Sequence, residues 1–246
     1  MILRRSVLAS LALLLVGEGG PGSGVPVGGG PGSARDGSQE RAREVMVREQ
    51  LVPRGIRDRR VIEAMRRVPR EHFVPEALRV HAYSDRPLPI GRGQTISQPY
   101  IVAYMAEVLQ LDGHERVLEV GSGSGYAAAV LSLLAAEVYG IELEEELYRR
   151  SVATIEAIGY PNVHLRAGDG FHGWPEKAPF DAILMSCAAE EIPPPLWEQL
   201  QEGGLFLYPR GPAGTEQDLV LVTKTAAGPR ERFLHPVYFV PMRRAP

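Results

Sequence analysis

The sequence predicts an α/β fold: a mostly parallel, doubly wound sheet with an antiparallel edge strand and an N-terminal helical addition. Three observations predict it. From Glu115 onward, short apolar runs alternate with helix-like segments, the order that builds a parallel sheet covered on both faces. The first run ends in a glycine loop, Gly121-Ser122-Gly123-Ser124-Gly125, followed by a small, apolar helix. Before Glu115 the apolar positions recur at helical spacing, as in Val61, Ile62, Met65 and Val68.

Taken in order, Glu40 to Val52 reads as a helix stopped by Pro53 and Gly55. Asp58 is placed to cap a second helix, and Pro69 ends it. Pro87, Pro89, Gly91 and Gly93 mark a loop, and a third helix follows Pro99 with Ile101, Val102, Met105, Val108 and Leu109 on one face. Arg116 to Val120 is the first strand, Tyr126 to Ala135 a helix, and Val138 to Leu143 the next strand. Glu144, Glu145 and Glu146 then sit where carboxylates favour a helix N-terminus. Val163 to Ala167, Ala182 to Cys187 and Leu205 to Tyr208 are further strands. A helix opening at Pro193 to Pro195 lies between the last two. Leu219 to Thr225 and Phe233 to Val240 have no helical pattern between them, so they form the antiparallel edge. Ligand is expected beyond the carboxyl ends of the strands, near the topological switch point.

The length, 246 residues, allows one well-packed α/β domain with some chain to spare. A net charge of -3 argues against a nucleic-acid partner. The single cysteine, Cys187, excludes an intramolecular disulfide and Cys-rich zinc patterns. The six histidines show no ligand spacing, so no metal is expected.

The N-terminus carries two open readings. Arg4 and Arg5 precede an apolar run, Ser6 to Val16, and a Gly/Pro/Ser-rich stretch follows to about Ser38. The run resembles a secretory signal but has no clear cleavage site; the alternative is a non-functional extension. It is too short for a membrane-spanning helix, so no stable membrane partner is expected. The stretch to Ser38 is expected to be a disordered linker.

The glycine loop carries the chemistry. Its G-x-G-x-G spacing lacks the form preferred by dinucleotides. Glu119, two residues before Gly121, would repel a pyrophosphate. S-adenosylmethionine carries a sulfonium and an ammonium without phosphate, and suits that field. Gly121, Ser122, Gly123 and Gly125 would let the ligand approach the backbone. Glu142, at the end of the second strand, can accept both ribose hydroxyls. Asp169 and Gly170 follow the third strand, where Asp169 can meet an adenine amino group or serve only as a turn aspartate.

At this point the sequence resembles the protein-L-isoaspartate O-methyltransferases. The residues that carry it include Val68-Pro69-Arg70-Glu71 with Phe73-Val74-Pro75, and Ala82-Tyr83-Ser84-Asp85. Gly93-Gln94-Thr95-Ile96-Ser97-Gln98-Pro99, the glycine loop, Gly168-Asp169-Gly170 and Ala178-Pro179-Phe180-Asp181 continue it. The match runs from about Val45 to about Val222, and the Gln94-to-Pro99 segment is specific to that family. The resemblance implies a Rossmann-like S-adenosylmethionine-dependent methyltransferase fold. It also implies methyl transfer to the free carboxylate of L-isoaspartyl residues in damaged proteins, initiating repair. On this reading residues 1–38 lie outside the methyltransferase domain, 39–246. Residues 39–113 form its helical and substrate-loop part, and 114–246 its cofactor-binding core.

Ser97 matches the family's active-site serine and can orient the attacking carboxylate; alone it reads as a helix cap. Thr95 is a second candidate, or a β-branched loop residue. Ser122 stands where the family commonly has threonine, and Ser186-Cys187-Ala188-Ala189 where it often has Thr-Ala-Ala-Pro, so the cleft differs in detail. The resemblance implies isoaspartyl proteins and peptides as partners and a monomer. An exported enzyme would lack S-adenosylmethionine, which is made in the cytosol, so cytoplasmic location is expected, with export to the periplasm as the alternative. Two competing readings are a small-molecule or RNA methyltransferase and a cofactor-binding protein without catalysis. The Gln94-to-Pro99 segment opposes the first, and the intact Ser97, Glu119, Glu142 and Asp169 set opposes the second.

Overall fold

The computed structural model describes residues 31–245 apart from 213, and the signal-like segment lies outside them. Helix α1 (Pro31–Met46) begins inside the stretch expected to be linker. Its first residue is proline, which needs no amide partner there, and Ala34 and the charged residues from Arg35 on are compatible with helix. The helix widens into a π-turn at Val47–Leu51, then tightens through Val52–Arg54. Gly55 (φ 103°) ends it in the left-handed region that glycine adopts without strain. Helix α2 (Arg59–Arg67) is capped as its sequence predicts, the Asp58 carboxylate accepting the Arg60 amide at 2.8 Å.

The expected loop at Pro87 to Gly93 is instead a small hairpin, β1 (Leu88–Gly91) and β2 (Gln94–Ile96). Arg92 (φ 55°) and Gly93 (φ 71°) form its turn. Positive φ at both central residues is what a primed hairpin turn requires. Proline at position 89 hides the strand, yet Pro89 sits at an edge where its missing amide costs nothing. Helix α3 (Pro99–Val108) follows.

The main sheet contains β3 (Arg116–Val120), β4 (Glu137–Glu142), β5 (Val163–Ala167), β6 (Phe180–Met185), β7 (Leu200–Arg210), β8 (Gln217–Thr225) and β9 (Gly228–Val237). Their order is β5-β4-β3-β6-β7-β8-β9. The first five are parallel, while β8 runs antiparallel to both β7 and β9. Helices α4 (Tyr126–Ser132), α5 (Glu145–Ile158) and α6 (Pro194–Gln199) make the crossovers. Strand β7 starts five residues before the expected Leu205; Gly203 and Gly204 break the apolar pattern there. Strand β9 lies earlier than Phe233 to Val240, because its first half is charged and exposed, as an edge strand tolerates.

Both faces of the sheet are buried. Val117, Val138, Ala182 and Leu184 join one core with the N-terminal helices; Leu118, Ile141, Ile183 and Met185 join the other with α6. Strand parity therefore puts Glu119 on the side of the N-terminal helices. Order reverses between β3 and β6, and their carboxyl ends form the switch point. No helix among the described residues is long and apolar enough to cross a membrane.

Candidate active site

The site grows from the end of β3. Gly121 and Ser122 donate their amides to the Ile141 carbonyl at 2.9 and 3.1 Å, turning the chain across the sheet edge. Gly121, Gly123 and Gly125 have φ of 82°, 55° and 84°. A side chain at any of the three would strain the turn. The Gly123 amide donates to Glu142 at 2.7 Å, and the Glu144 amide donates to the other Glu142 oxygen at 2.9 Å. Glu142 is thus held rigid, with lone pairs left for a diol. Burial raises its carboxyl above the ordinary range, against the pull of the Glu144 and Gly123 amides.

Glu119 is the electrostatic centre. It is 1% exposed. One carboxyl oxygen accepts the Ser186 hydroxyl at 2.8 Å, and the other, Oε2, is buried with no partner. Burial pushes this carboxyl up to about 7; the Ser186 hydrogen bond opposes the shift and nearby Glu142 adds to it. The Ser122 hydroxyl is likewise buried without a partner. Buried polar atoms in folded proteins are normally paired. Two orphans beside one glycine loop, one of them an acceptor on a carboxylate, fit a ligand bearing an ammonium group. The residues present therefore suit S-adenosylmethionine.

Two hollows meet here. One is lined by Gly121, Gly123, Glu142, Gly170 and Leu143, the other by Glu119, Ser122 and Tyr126 with the same two loop glycines. Thr95 and Ser186 line both, and also line an open cleft of about 430 Å³ with Ser97, Gln98, Arg54 and Tyr238; Ser97 lines the Glu119 hollow as well. The structure thus brings Thr95, Ser97, Glu119, Glu142, Gly170, Gly121, Ser122 and Gly123 together, while Gly125 packs against Ser151 and Ile155 of α5. Ser97 precedes the α3 cap residue Gln98, whose side chain makes no capping bond, so the helix-cap reading of Ser97 does not hold. Gln98 and Arg54 instead grip Asp85 at 2.7 and 3.0 Å, fixing one wall of the cleft.

Asp169 stands apart from these cavities. Its carboxylate caps the turn after β5, accepting the Phe171 amide at 2.9 Å, and takes Arg244 Nε at 2.9 Å and the Ala245 amide at 3.1 Å. Burial works upward on this carboxyl, but Arg244 and those amides hold it below the ordinary range. A carboxylate offers about four lone-pair sites, so room for one more donor remains. Gly170 is explained by close approach: a Cβ there would sit 2.6 Å from Val120 Cγ1. Gly170→Ala is expected to lower stability by roughly 1–3 kcal/mol through overpacking, read as a fall in Tm of the cofactor-free protein. An unchanged Tm would show that the loop yields freely.

Two contributors carry little signal in the sequence. Ser186, at the carboxyl end of β6, is visible there only as a departure from a family pattern; its place beside β3 at the switch point is the available signal. The C-terminal tail gives no local signal. Val240 and Met242 bond with Ala188 at 2.8 Å, carrying the tail across the strand ends, where Val240 to Arg243 line the cofactor hollow. Glu144 pairs with Arg243 of this tail and, at 3.1 Å, with Arg92 of the hairpin turn. Both lips of the hollow are thereby tied to the start of α5.

Comparison with known proteins agrees with this geometry. A family model described as protein-L-isoaspartate(D-aspartate) O-methyltransferase matches residues 41–245. A protein of Anaeromyxobacter sp. (strain Fw109-5) named protein-L-isoaspartate O-methyltransferase 2 is 65% identical, the alignment covering 99% of each chain. A protein-L-isoaspartate O-methyltransferase of Opitutus terrae is 52% identical over 98% of each. A solved structure from Plasmodium falciparum, described under the same enzyme name and in complex with S-adenosyl-L-homocysteine, superposes with a TM-score of 0.69 at 27% identity. That alignment covers 84% of this chain and 99% of that one.

Proposed function

The chain belongs to the protein-L-isoaspartate(D-aspartate) O-methyltransferase family, and on that premise we propose that Ser97 and Thr95 hold the acceptor while the glycine loop and its carboxylates hold the donor. The enzyme transfers a methyl group from S-adenosylmethionine to the free carboxylate of L-isoaspartyl residues in damaged proteins, initiating repair.

The cofactor, when bound, supplies a methyl group on a positively charged sulfur. Glu119 Oε2 would receive its ammonium, Glu142 its ribose hydroxyls, and Asp169 with Gly170 its adenine end. The acceptor carboxylate has an ordinary pKa of about 4 and is already ionised at neutral pH. The site therefore needs no general base, and among the described residues none is hydrogen-bonded to the Ser97 hydroxyl. Its task is to align the acceptor oxygen with the methyl carbon and exclude water. The Ser97 hydroxyl donates to the acceptor carboxylate from the cleft side. Thr95 lies where cleft and cofactor hollow meet. The tail from Val240 to Arg243 roofs the hollow and keeps water out.

The observation that carries this reading is the pairing of a partnerless buried carboxylate oxygen on Glu119 with an open cleft that meets the same cavity at Thr95, Ser97 and Ser186. The test is methyl transfer from labelled S-adenosylmethionine to two peptides differing only in Asp versus isoAsp. Base-labile label on the isoAsp peptide alone is expected. Label on neither, with cofactor binding confirmed, would overturn the assignment.

In this reading the methyltransferase unit is 39–246, acting as a monomer without nucleic-acid or membrane partners. Residues 39–113 and 114–246 contribute to one shared core. The cytoplasm, where the cofactor is made, is the proposed location. Fractionation of cells making the full chain decides between that and export.

A further inference from the structure

One buried charge has no part in the chemistry above. Arg70 is 0% exposed, and no carboxylate lies within ion-pair distance of it among the described residues. A lone buried cation is costly to keep. Its contacts show what it holds. Nε donates to the Ala82 carbonyl at 2.7 Å and Nη2 to the Ser97 carbonyl at 2.7 Å. These two carbonyls bracket the segment that contains the β1–β2 hairpin, so one guanidinium closes the base of the whole substrate loop.

The same group packs on the donor side. Its central carbon lies 4.7 Å from the centre of the Tyr126 ring. Tyr126 is the first residue of α4, directly after Gly125, and is 1% exposed. Phe73, three residues from Arg70, meets the same ring edge-on at 5.5 Å. Arg70 thus touches the backbone of Ser97 through Nη2 and lies over the Tyr126 ring that follows the glycine loop. Lysine, a point charge on a flexible stem, cannot reproduce two directed bonds from a fixed fork together with the contact on the Tyr126 ring.

We propose that Arg70 is a positioning residue for methyl transfer, fixing where the Ser97 hydroxyl stands relative to the glycine loop. The proposal rests on the role given to Ser97 above. Arg70 meets neither substrate nor cofactor and acts through the Ser97 carbonyl and the Tyr126 ring. Misplacement of a reacting group by about 1 Å can cost about 100-fold in rate, so a small shift at this staple reaches turnover without touching cofactor affinity.

The test is a double-mutant cycle of Arg70→Lys and Ser97→Ala, reading kcat and KM on an isoaspartyl peptide and Kd for S-adenosylhomocysteine. Arg70→Lys is expected to lower kcat roughly 30-fold while Kd changes less than about threefold. In the Ser97→Ala background its further cost should fall below about threefold, because the hydroxyl it positions is gone. If Arg70→Lys fails to bind S-adenosylhomocysteine, Tyr126→Leu replaces it in the cycle; it keeps both Arg70 hydrogen bonds and removes the ring. The same loss of kcat with the same non-additivity is then expected. Equal cost in both backgrounds would overturn the link between Arg70 and Ser97 while leaving Ser97 in place. Full turnover by Ser97→Ala alone would remove Ser97, and this proposal with it.

Discussion

Ser97→Ala is expected to lower kcat on an isoaspartyl peptide by about 100-fold, with S-adenosylhomocysteine affinity changed less than about threefold. The split follows from where the residue stands. Ser97 lines the open cleft and the edge of the Glu119 hollow, but is absent from the hollow formed by Glu142, Gly170 and the tail. Its backbone is held by Arg70, so losing the hydroxyl leaves the loop in place. On the proposed mechanism, what disappears is the donor that orients the acceptor carboxylate. The attacking oxygen needs no deprotonation, so orientation is nearly all the enzyme can contribute on that side. The measurement is steady-state kinetics beside calorimetric binding. A variant with parental kcat would take Ser97 out of the mechanism; a matching collapse in cofactor affinity would make it a structural residue instead.

Glu119→Gln is expected to weaken S-adenosylmethionine binding by roughly 10- to 100-fold, the loss of one buried charge-assisted hydrogen bond. It should also raise the Tm of the cofactor-free protein at pH 8. The sign follows from linkage. Burial raises the folded-state pKa of Glu119 to about 7, above its ordinary 4.5, so the folded protein holds this proton more tightly than the unfolded chain. Stability therefore falls as pH rises from about 4.5 to about 7 and stays low above it. The slope across that window is about 1.4 kcal/mol per pH unit. Glutamine carries no such penalty, so the Tm advantage of the variant should appear above pH 7 and vanish near pH 5. Glu144 and Asp169 change stability in the opposite direction on the acid side, since their pKa values are lowered. The comparison must therefore be variant against parent at each pH. Cofactor affinity of the parent should weaken below about pH 7, where Glu119 must lose a proton to meet the ammonium. A variant with the parent's pH profile would place the titration elsewhere. On this proposal stability is given up for function at Glu119: the unpaired buried oxygen would be completed by the cofactor's cation.

Much of the fold is legible in the chain because it is local. The β-α-β alternation, the Asp58 cap and the ends of β3 and β5 depend on neighbours in sequence, and they lie where periodicity puts them. The hairpin at Leu88 is not legible, because Pro89 obscures its alternation and the primed turn at Arg92-Gly93 lacks a familiar turn pair. The start of α1 at Pro31 is hidden in the same way, by a composition that marks the stretch as linker.

The sequence by itself determined the class of fold, the glycine loop with its carboxylates, and the family to which these motifs belong. All three reside in short segments whose backbone preferences and charges act over a few residues. Only the tertiary structure decided that Ser97 and Ser186 face one cavity, that the tail after Val240 returns to roof it, and that Arg244 occupies Asp169. It also decided that Arg70 ties the segment between Ala82 and Ser97 to the start of α4. Those contacts join residues far apart in the chain, and what selects them is the packing of two buried sheet faces. That same packing strips water from Glu119, and so turns an ordinary acidic residue at a strand end into the centre of the site.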